Sequence, residues 1–248
     1  MIRLFAVNIL PLKDAACYEK CYLRSSGQRQ EKADALAVPA DKARCIAAGL
    51  LLEYSYEKFR SEYIKELAKA NSFGYVQGYA KLLPEEMPEI ISGFRGKPEF
   101  VFPEDTEKLV YFNLSHSGNY VICAMADFEV GADIQRRTRV RESVLRQFFS
   151  AEEKKQMEMC GDDEMLRERT FAGIWAVNEA QTKLTGRGIG QMLGSMLKDA
   201  VGIENVTEEP GYRIWQGCIG EDYAWAIAGG TQGTPELIMV DEGELFYE

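Results

Sequence analysis

Residues 112–135, FNLSHSGNYVICAMADFEVGADIQ, carry the reading of the fold. A strand, LVYFN (109–113), leads into a polar loop, LSHSGN, and a second strand, YVICAMAD (120–127), follows. After a short turn the chain extends again in GADIQ (131–135). Upstream, IRLFAVNI (2–9) places Phe5, Val7 and Ile9 on one face of a further strand. Residues 14–23 and 42–69 then read as helices, because Ile46, Leu50, Leu51, Tyr54, Phe59, Tyr63, Ile64 and Leu67 recur at three- and four-residue spacing. Downstream, 141–149 turns Leu145 and Phe148/Phe149 to one helix face, and Ser150 with Glu153 forms a capping box for the next helix. A long helix follows over about 164–184, closed by a GRGIG loop at 186–190, where a glycine most simply caps the helix end. YRIWQGCI, YAWAIAGG and LIMV read as strands that complete the pattern. The class is α+β. Residues 71–106, rich in Gly, Pro and charge, divide an N-terminal subdomain (1–106) from a C-terminal one (107–248). There is no short-period repeat and no low-complexity tract.

Composition excludes several classes. With 248 residues, 46% hydrophobic and 27% charged, the chain is globular and has room for one large domain or two small ones. A net charge of −10 argues against nucleic acid and anionic membranes as partners, since both attract lysine and arginine. Six cysteines in apolar, periodic contexts read as reduced thiols of a cytoplasmic protein. A single histidine, His116, excludes histidine-cluster metal chemistry. The opening MIRLFAVNILPLKD lacks a basic stretch before its apolar run, and no run approaches the roughly 18 to 20 residues of a membrane span. The expectation is a protein neither exported nor membrane-spanning.

A few residues can do chemistry. His116 lies between two serines in the polar loop, exposed by that reading; a loop histidine without duty is the plainer alternative. Asp133 and Gln135, two apart on a strand, point to one face with two oxygen-bearing groups, the kind that hard cations prefer. Trp175, Glu179 and Lys183 are spaced four apart on the long helix and share a face. Glu179 and Lys183 are first an intrahelical ion pair, and second a metal-binding carboxylate beside a phosphate-binding ammonium. The basic run RRTRVRE (136–142) is either a solvated face or a dock for an acidic partner.

The order and context of these blocks add more. FNLSHSGNYVICAMADFEVGADIQ, then FFSAEE, then IWAVNEAQTKLTGRGI resemble the 4′-phosphopantetheinyl transferases of the larger type that serves peptide and polyketide synthetases. SGQRQEKA (26–33), DKARCIAAGLLL (41–52) and RGKPEF (95–100) agree with it. The resemblance implies two similar subdomains related by a pseudo-twofold axis, with coenzyme A in the cleft between them, in a monomer. It implies transfer of phosphopantetheine from coenzyme A to a serine of an apo acyl or peptidyl carrier protein, dependent on Mg²⁺, with release of 3′,5′-ADP. Carried over by position, Asp133, Gln135 and Glu179 are the metal ligands, and Asp133, Glu179 and Lys183 the catalytic residues. Arg29, Lys32, Arg44, Ser115 and His116 bind the phosphates of coenzyme A, and Gly96, Lys97 and Pro98 pack on its adenine. Lys183 clamps the pyrophosphate, and Asn178 takes the place of a phosphate-binding lysine. Two departures stand out: Asn178 replaces that lysine, and Gln135 replaces a glutamate. A homologue that binds coenzyme A yet transfers weakly or not at all, and a non-catalytic interaction module, are the alternatives.

Overall fold

The computed structural model describes residues 1–70, 83–93, 96–102, 108–186, 207–209, 211–230 and 233–247. In chain order they form β1 (Ile2–Asn8), α1 (Ala15–Arg24), α2 (Gly27–Asp34), α3 (Pro39–Ala70), β2 (Ile90–Ser92), β3 (Pro98–Phe100), β4 (Tyr111–Ser117) and β5 (Tyr120–Ala126). There follow β6 (Val130–Arg136), α4 (Glu142–Phe148), α5 (Ala151–Met159), α6 (Glu164–Thr185), β7 (Thr207–Glu209), β8 (Tyr212–Ile219), β9 (Tyr223–Gly229), β10 (Glu236–Met239) and α7 (Glu242–Phe246). Helices and sheets are mixed, as an α+β class requires. Among the described residues no helix is long and apolar enough to cross a membrane.

The chain divides into two compact units. The first comprises Met1–Gly93, Pro98–Phe128 and Pro235–Glu248, and is built on a four-stranded sheet of order β10-β1-β5-β4. β1 pairs in parallel with β10 and antiparallel with β5. The register sets Phe5 opposite Cys123 and Val7 opposite Val121, and β4 adds Phe112 opposite Met125. These side chains form one core with Ile46, Leu50, Leu51 and Phe59 of α3. The apolar three- and four-residue spacing of α3 is thus the half of that core that the helix supplies.

The second unit, Phe94–Lys97 and Glu129–Thr234, holds an antiparallel sheet of order β6-β9-β8-β7. Ala176, Val177 and Ala180 of α6 pack on Ile214, Ala226 and Ala228 of this sheet. α6 starts where the Asp163 carboxylate accepts from the Leu166 amide, and ends at Gly186, whose φ of 64° is the left-handed cap expected of a glycine there. The capping box of Ser150 and Glu153 forms in full. Each unit uses one pattern: a strand, a long helix, then a hairpin whose second strand pairs with the first (β1-α3-β4-β5 and β6-α6-β8-β9).

Two expectations differ from what is found. The composition boundary at 106/107 falls inside the first unit, because β4 and β5 continue the sheet of β1, and the longer segment of the second unit begins at Glu129. The polar stretch around His116 is not a loop. β4 runs to Ser117, and a two-residue turn with Gly118 at φ 54° returns the chain, so pairing extends from Tyr111–Ala126 to Ser117–Tyr120. The polar residues there are ladder-paired strand, with Ser115 buried and His116 exposed, and mark no break in the sheet. Of the GRGIG loop, residues 187–190 lie outside the described residues.

Candidate functional site

Asp133 sits on the α6-facing side of β6, opposite Ala226 of β9. The Nζ of Lys183 donates to its Oδ1 at 2.6 Å, and only 8% of the Asp133 side chain is exposed. Glu179, one turn before Lys183, has its carboxyl pushed up to about 6, first by burial and then by the charge of Asp133, with Lys183 opposing. Two carboxylates and one ammonium from β6 and α6 are therefore electrostatically joined. Trp175, a further turn back, is structural: its ring lies against Phe148 and Phe171. Gln135 shares the face of Asp133 by strand alternation, and its Nε2 donates to the Arg136 carbonyl at 2.9 Å.

Close approach of helix to strand makes this grouping possible. A Cβ placed on Gly131 would overlap the Ala180 carbonyl oxygen and the Leu184 amide nitrogen, and would come within 2.9 Å of Leu184 Cα. Gly131 is two residues from Asp133 on the same face, and sequence reading gave it no role; a glycine inside a strand pattern was the available signal.

Asn178 does not share the face of Glu179 and Lys183. It is 1% exposed, its amide lies toward the buried Glu153 carboxyl, and neither amide atom makes a hydrogen bond of good geometry. Burial raises the Glu153 carboxyl, and the Ser150 backbone amide and Asn178 oppose that rise. The placing of Asn178 as a phosphate contact is thus corrected: the residue follows the helix interior, where its neighbour is the capping box. Lys97 is also engaged. Its Nζ lies 2.8 Å from Glu129 Oε2 and 3.4 Å from the Leu184 carbonyl. Gly96, with φ 84°, belongs with it to the second unit, while Pro98 opens β3 of the first.

In the first unit, the β4 register puts His116 opposite Val121, on the face toward α3, and Ser115 opposite Ile122 on the other face. His116 is exposed and Ser115 buried. Arg44 of α3 donates to the Gly118 carbonyl at 3.0 Å and pairs with Asp41. Arg29 of α2 lies across α3 where Gly49 leaves room, and Lys32 is exposed. Arg44 and the His116 strand end therefore meet at the hairpin turn, while Arg29 is anchored along the helix.

Among the described residues, no group of three or more His, Cys, Asp or Glu side chains is gathered for a metal. Two carboxylates with oxygen-bearing neighbours nevertheless fit Mg²⁺, which takes one or two carboxylates and completes its shell with water and phosphate. Burial and then the charge of Asp133 lift Glu179, and a divalent cation would offset the second of these.

Lys183 and Asp133 thus form an ion pair on one helix–strand seam of the second unit, with the Glu179 carboxyl close enough to feel the charge of Asp133. Residues 129–228 match the family model of the 4′-phosphopantetheinyl transferase superfamily. The chain is similar to the 4′-phosphopantetheinyl transferase psf-1 of Bacillus pumilus, 38% identical over 85 residues, 34% of this chain and 36% of the relative. It is similar to 4′-phosphopantetheinyl transferase Sfp of Bacillus subtilis, 32% identical over 85 residues (34% and 37%), and to AcpT of Escherichia coli K12, 36% identical over 110 residues (43% and 53%). The matches span about a third to a half of these relatives. The resemblance carried by the motif blocks is to a 4′-phosphopantetheinyl transferase, and these matches bear it out.

Proposed function

We propose that this chain transfers the 4′-phosphopantetheine group of coenzyme A to a serine of an apo acyl or peptidyl carrier protein, with 3′,5′-ADP as the leaving product. The single observation that carries the reading is the Asp133–Lys183–Glu179 grouping, with Lys183 Nζ 2.6 Å from Asp133, inside the segment that matches the family. Asp133 and Glu179 would hold Mg²⁺, with Gln135 the neighbouring oxygen donor. Bound there, the cation supplies charge neutralisation for the pyrophosphate.

The residues divide the work. Glu179, on the helix beside Asp133 and Lys183, takes the proton of the incoming serine hydroxyl. Lys183 neutralises charge that develops on the bridging oxygen. Asp133 orients Lys183 between turnovers and keeps its ammonium at the seam. Arg29, Lys32, Arg44, Ser115 and His116 bind the nucleotide phosphates, and Gly96, Lys97 and Pro98 the adenine. His116, as the single histidine, gives ring signals that move on saturation with coenzyme A if it belongs to that set. Exposed Arg139 and Arg141 of the RRTRVRE run dock an acidic carrier helix.

Mass spectrometry of several apo carrier proteins after incubation with the protein, coenzyme A and Mg²⁺ tests the reading. A gain of one phosphopantetheine group supports it, and no gain on any carrier sinks it. A second reading, a coenzyme A binder with weak transfer, is favoured by Asn178, which is neutral and buried where a lysine would bring charge. It is separated by thermal stabilisation with coenzyme A and Mg²⁺ in the absence of a mass gain.

A further inference from the structure

We infer that Gly131 is a positioning residue: by carrying no side chain it lets the 180–184 turn of α6 seat on β6, and this seating sets the spacing of Asp133, Glu179 and Lys183. The inference rests on the function proposed above. Backbone freedom is not the reason for the glycine, since Gly131 is not among the positive-φ glycines. The need is for space. The atoms a Cβ would meet, Ala180 O and Leu184 N, are four residues apart in one helix, where carbonyl and amide pair in the helical ladder. Neither can step aside alone without opening that rung, unlike the tip of a flexible side chain. The surroundings agree: Ala176, Ala180, Ala226 and Ala228 line the same seam, so small residues keep helix and sheet close along its length.

A second observation bears on the same turn from its end. Lys97 bridges the Leu184 carbonyl and Glu129, the residue immediately before β6. A cation on the last carbonyls of a helix is favourable, and here it also ties the helix end to the strand entry. Glu179 immediately precedes the seated turn, Lys183 lies within it, and Asp133 is two residues from the seat. A shift of the turn therefore changes the distance across which both helix residues meet Asp133.

The test uses Gly131→Ala, with Gly173→Ala as control, because a Cβ at Gly173 on the same helix meets nothing within 4 Å. Two quantities are read: amide hydrogen exchange at Leu184 in ligand-free protein, and Mn²⁺ affinity by calorimetry in the presence of coenzyme A. Gly131→Ala should speed Leu184 exchange at least about tenfold and weaken Mn²⁺ at least about fivefold, and Gly173→Ala should change neither beyond about twofold. Unchanged Leu184 protection overturns the seating, and faster exchange with unchanged Mn²⁺ affinity overturns its positioning role. If Gly131→Ala does not fold, Glu129→Gln, at an exposed carboxylate, decides. It should move both readouts in the same direction by about two- to threefold, and no movement overturns the inference. Wild-type protein that binds no Mn²⁺ with coenzyme A refutes the transferase reading, and the exchange arm alone then judges the seating.

Discussion

Lys183 of α6 and Asp133 of β6 form an ion pair at 2.6 Å in which the carboxylate is nearly buried and the ammonium about a quarter exposed. A pair of this kind is asymmetric, because removal of the cation leaves the buried Asp133 charge unmatched, whereas removal of both leaves only the Glu179 carboxyl at the seam. Lys183→Met should lower stability by about 1–3 kcal/mol and Lys183→Met/Asp133→Asn by less. Urea denaturation of the two singles and the double measures the coupling, and simple additivity would mean that the pair is not energetically joined. Transfer should fall at least about 10² in each single variant.

Glu179 gives a pH signature. Its carboxyl is raised in the folded state from 4.5 to about 6 by burial and by Asp133, so the fold favours the protonated form. The stability it contributes is complete below about pH 4.5 and is lost as pH rises through about 6, a loss of about 1 kcal/mol after solvent screening. Glu179→Gln keeps a neutral side chain of the same shape. In chelator it should match the wild type near pH 4 and exceed it at pH 7.5, while transfer drops at least about 10². A wild-type advantage at pH 7.5 would contradict the electrostatic account.

The basic run divides into structural and exposed arginines. Arg137 reaches Glu168 at 3.6 Å and Asp222 at 3.1 Å, and its backbone amide donates to the Asp222 carbonyl. Arg139 and Arg141 are exposed. Charge reversal at Arg139 and Arg141 should raise KM for the carrier several-fold and spare KM for coenzyme A, with the loss deepest at low salt. Arg137→Glu should instead lower thermal stability, by about 1 kcal/mol or more. Equal effects of both sets on carrier and coenzyme A would remove the docking role.

Asn178 now makes a different forecast from a phosphate ligand. Asn178→Ala should cost about 1–2 kcal/mol in urea denaturation, since the buried Glu153 carboxyl loses a favourable neighbour, and should leave coenzyme A affinity within about twofold. A large loss of coenzyme A affinity at unchanged stability would return Asn178 to the phosphate side.

Most elements were legible because their period was unambiguous. The apolar face of α3, the Ser150 capping box and the Gly186 cap all follow from local chemistry, and β5 reads as a strand from a continuous apolar run. The extension of β4 through Ser115, His116 and Ser117 was hidden, because three consecutive polar residues before a Gly-Asn turn look like loop until the partner strand is known. Asp133, Glu179 and Lys183 stood out by residue type and spacing, their grouping at one site came from the family resemblance, and the structure pairs Lys183 with Asp133 and sets Glu179 under the charge of both. The burial of Asn178 and the pairing of Arg137 were not legible, since both depend on residues far away in the chain that only tertiary packing brings near. Gly131 was visible as a letter, but its meaning lies in the helix backbone opposite it.

The parallel pairing of β10 with β1 sets Arg3 opposite Glu236, so the first unit is a discontinuous body with the second inserted between its strands. On a ribosome, β1, α3, β4 and β5 emerge early, yet one side of β1 waits unpaired while the whole inserted unit is made. Contacts of such sequence separation slow folding, and an unpaired strand edge invites association with another chain. Nascent chains halted after residue 230 should therefore expose the β1 edge to protease and chaperone. Chains extended past residue 240 by a linker long enough to carry β10 clear of the ribosome should close it, and arrested-translation proteolysis at the two lengths would register the change.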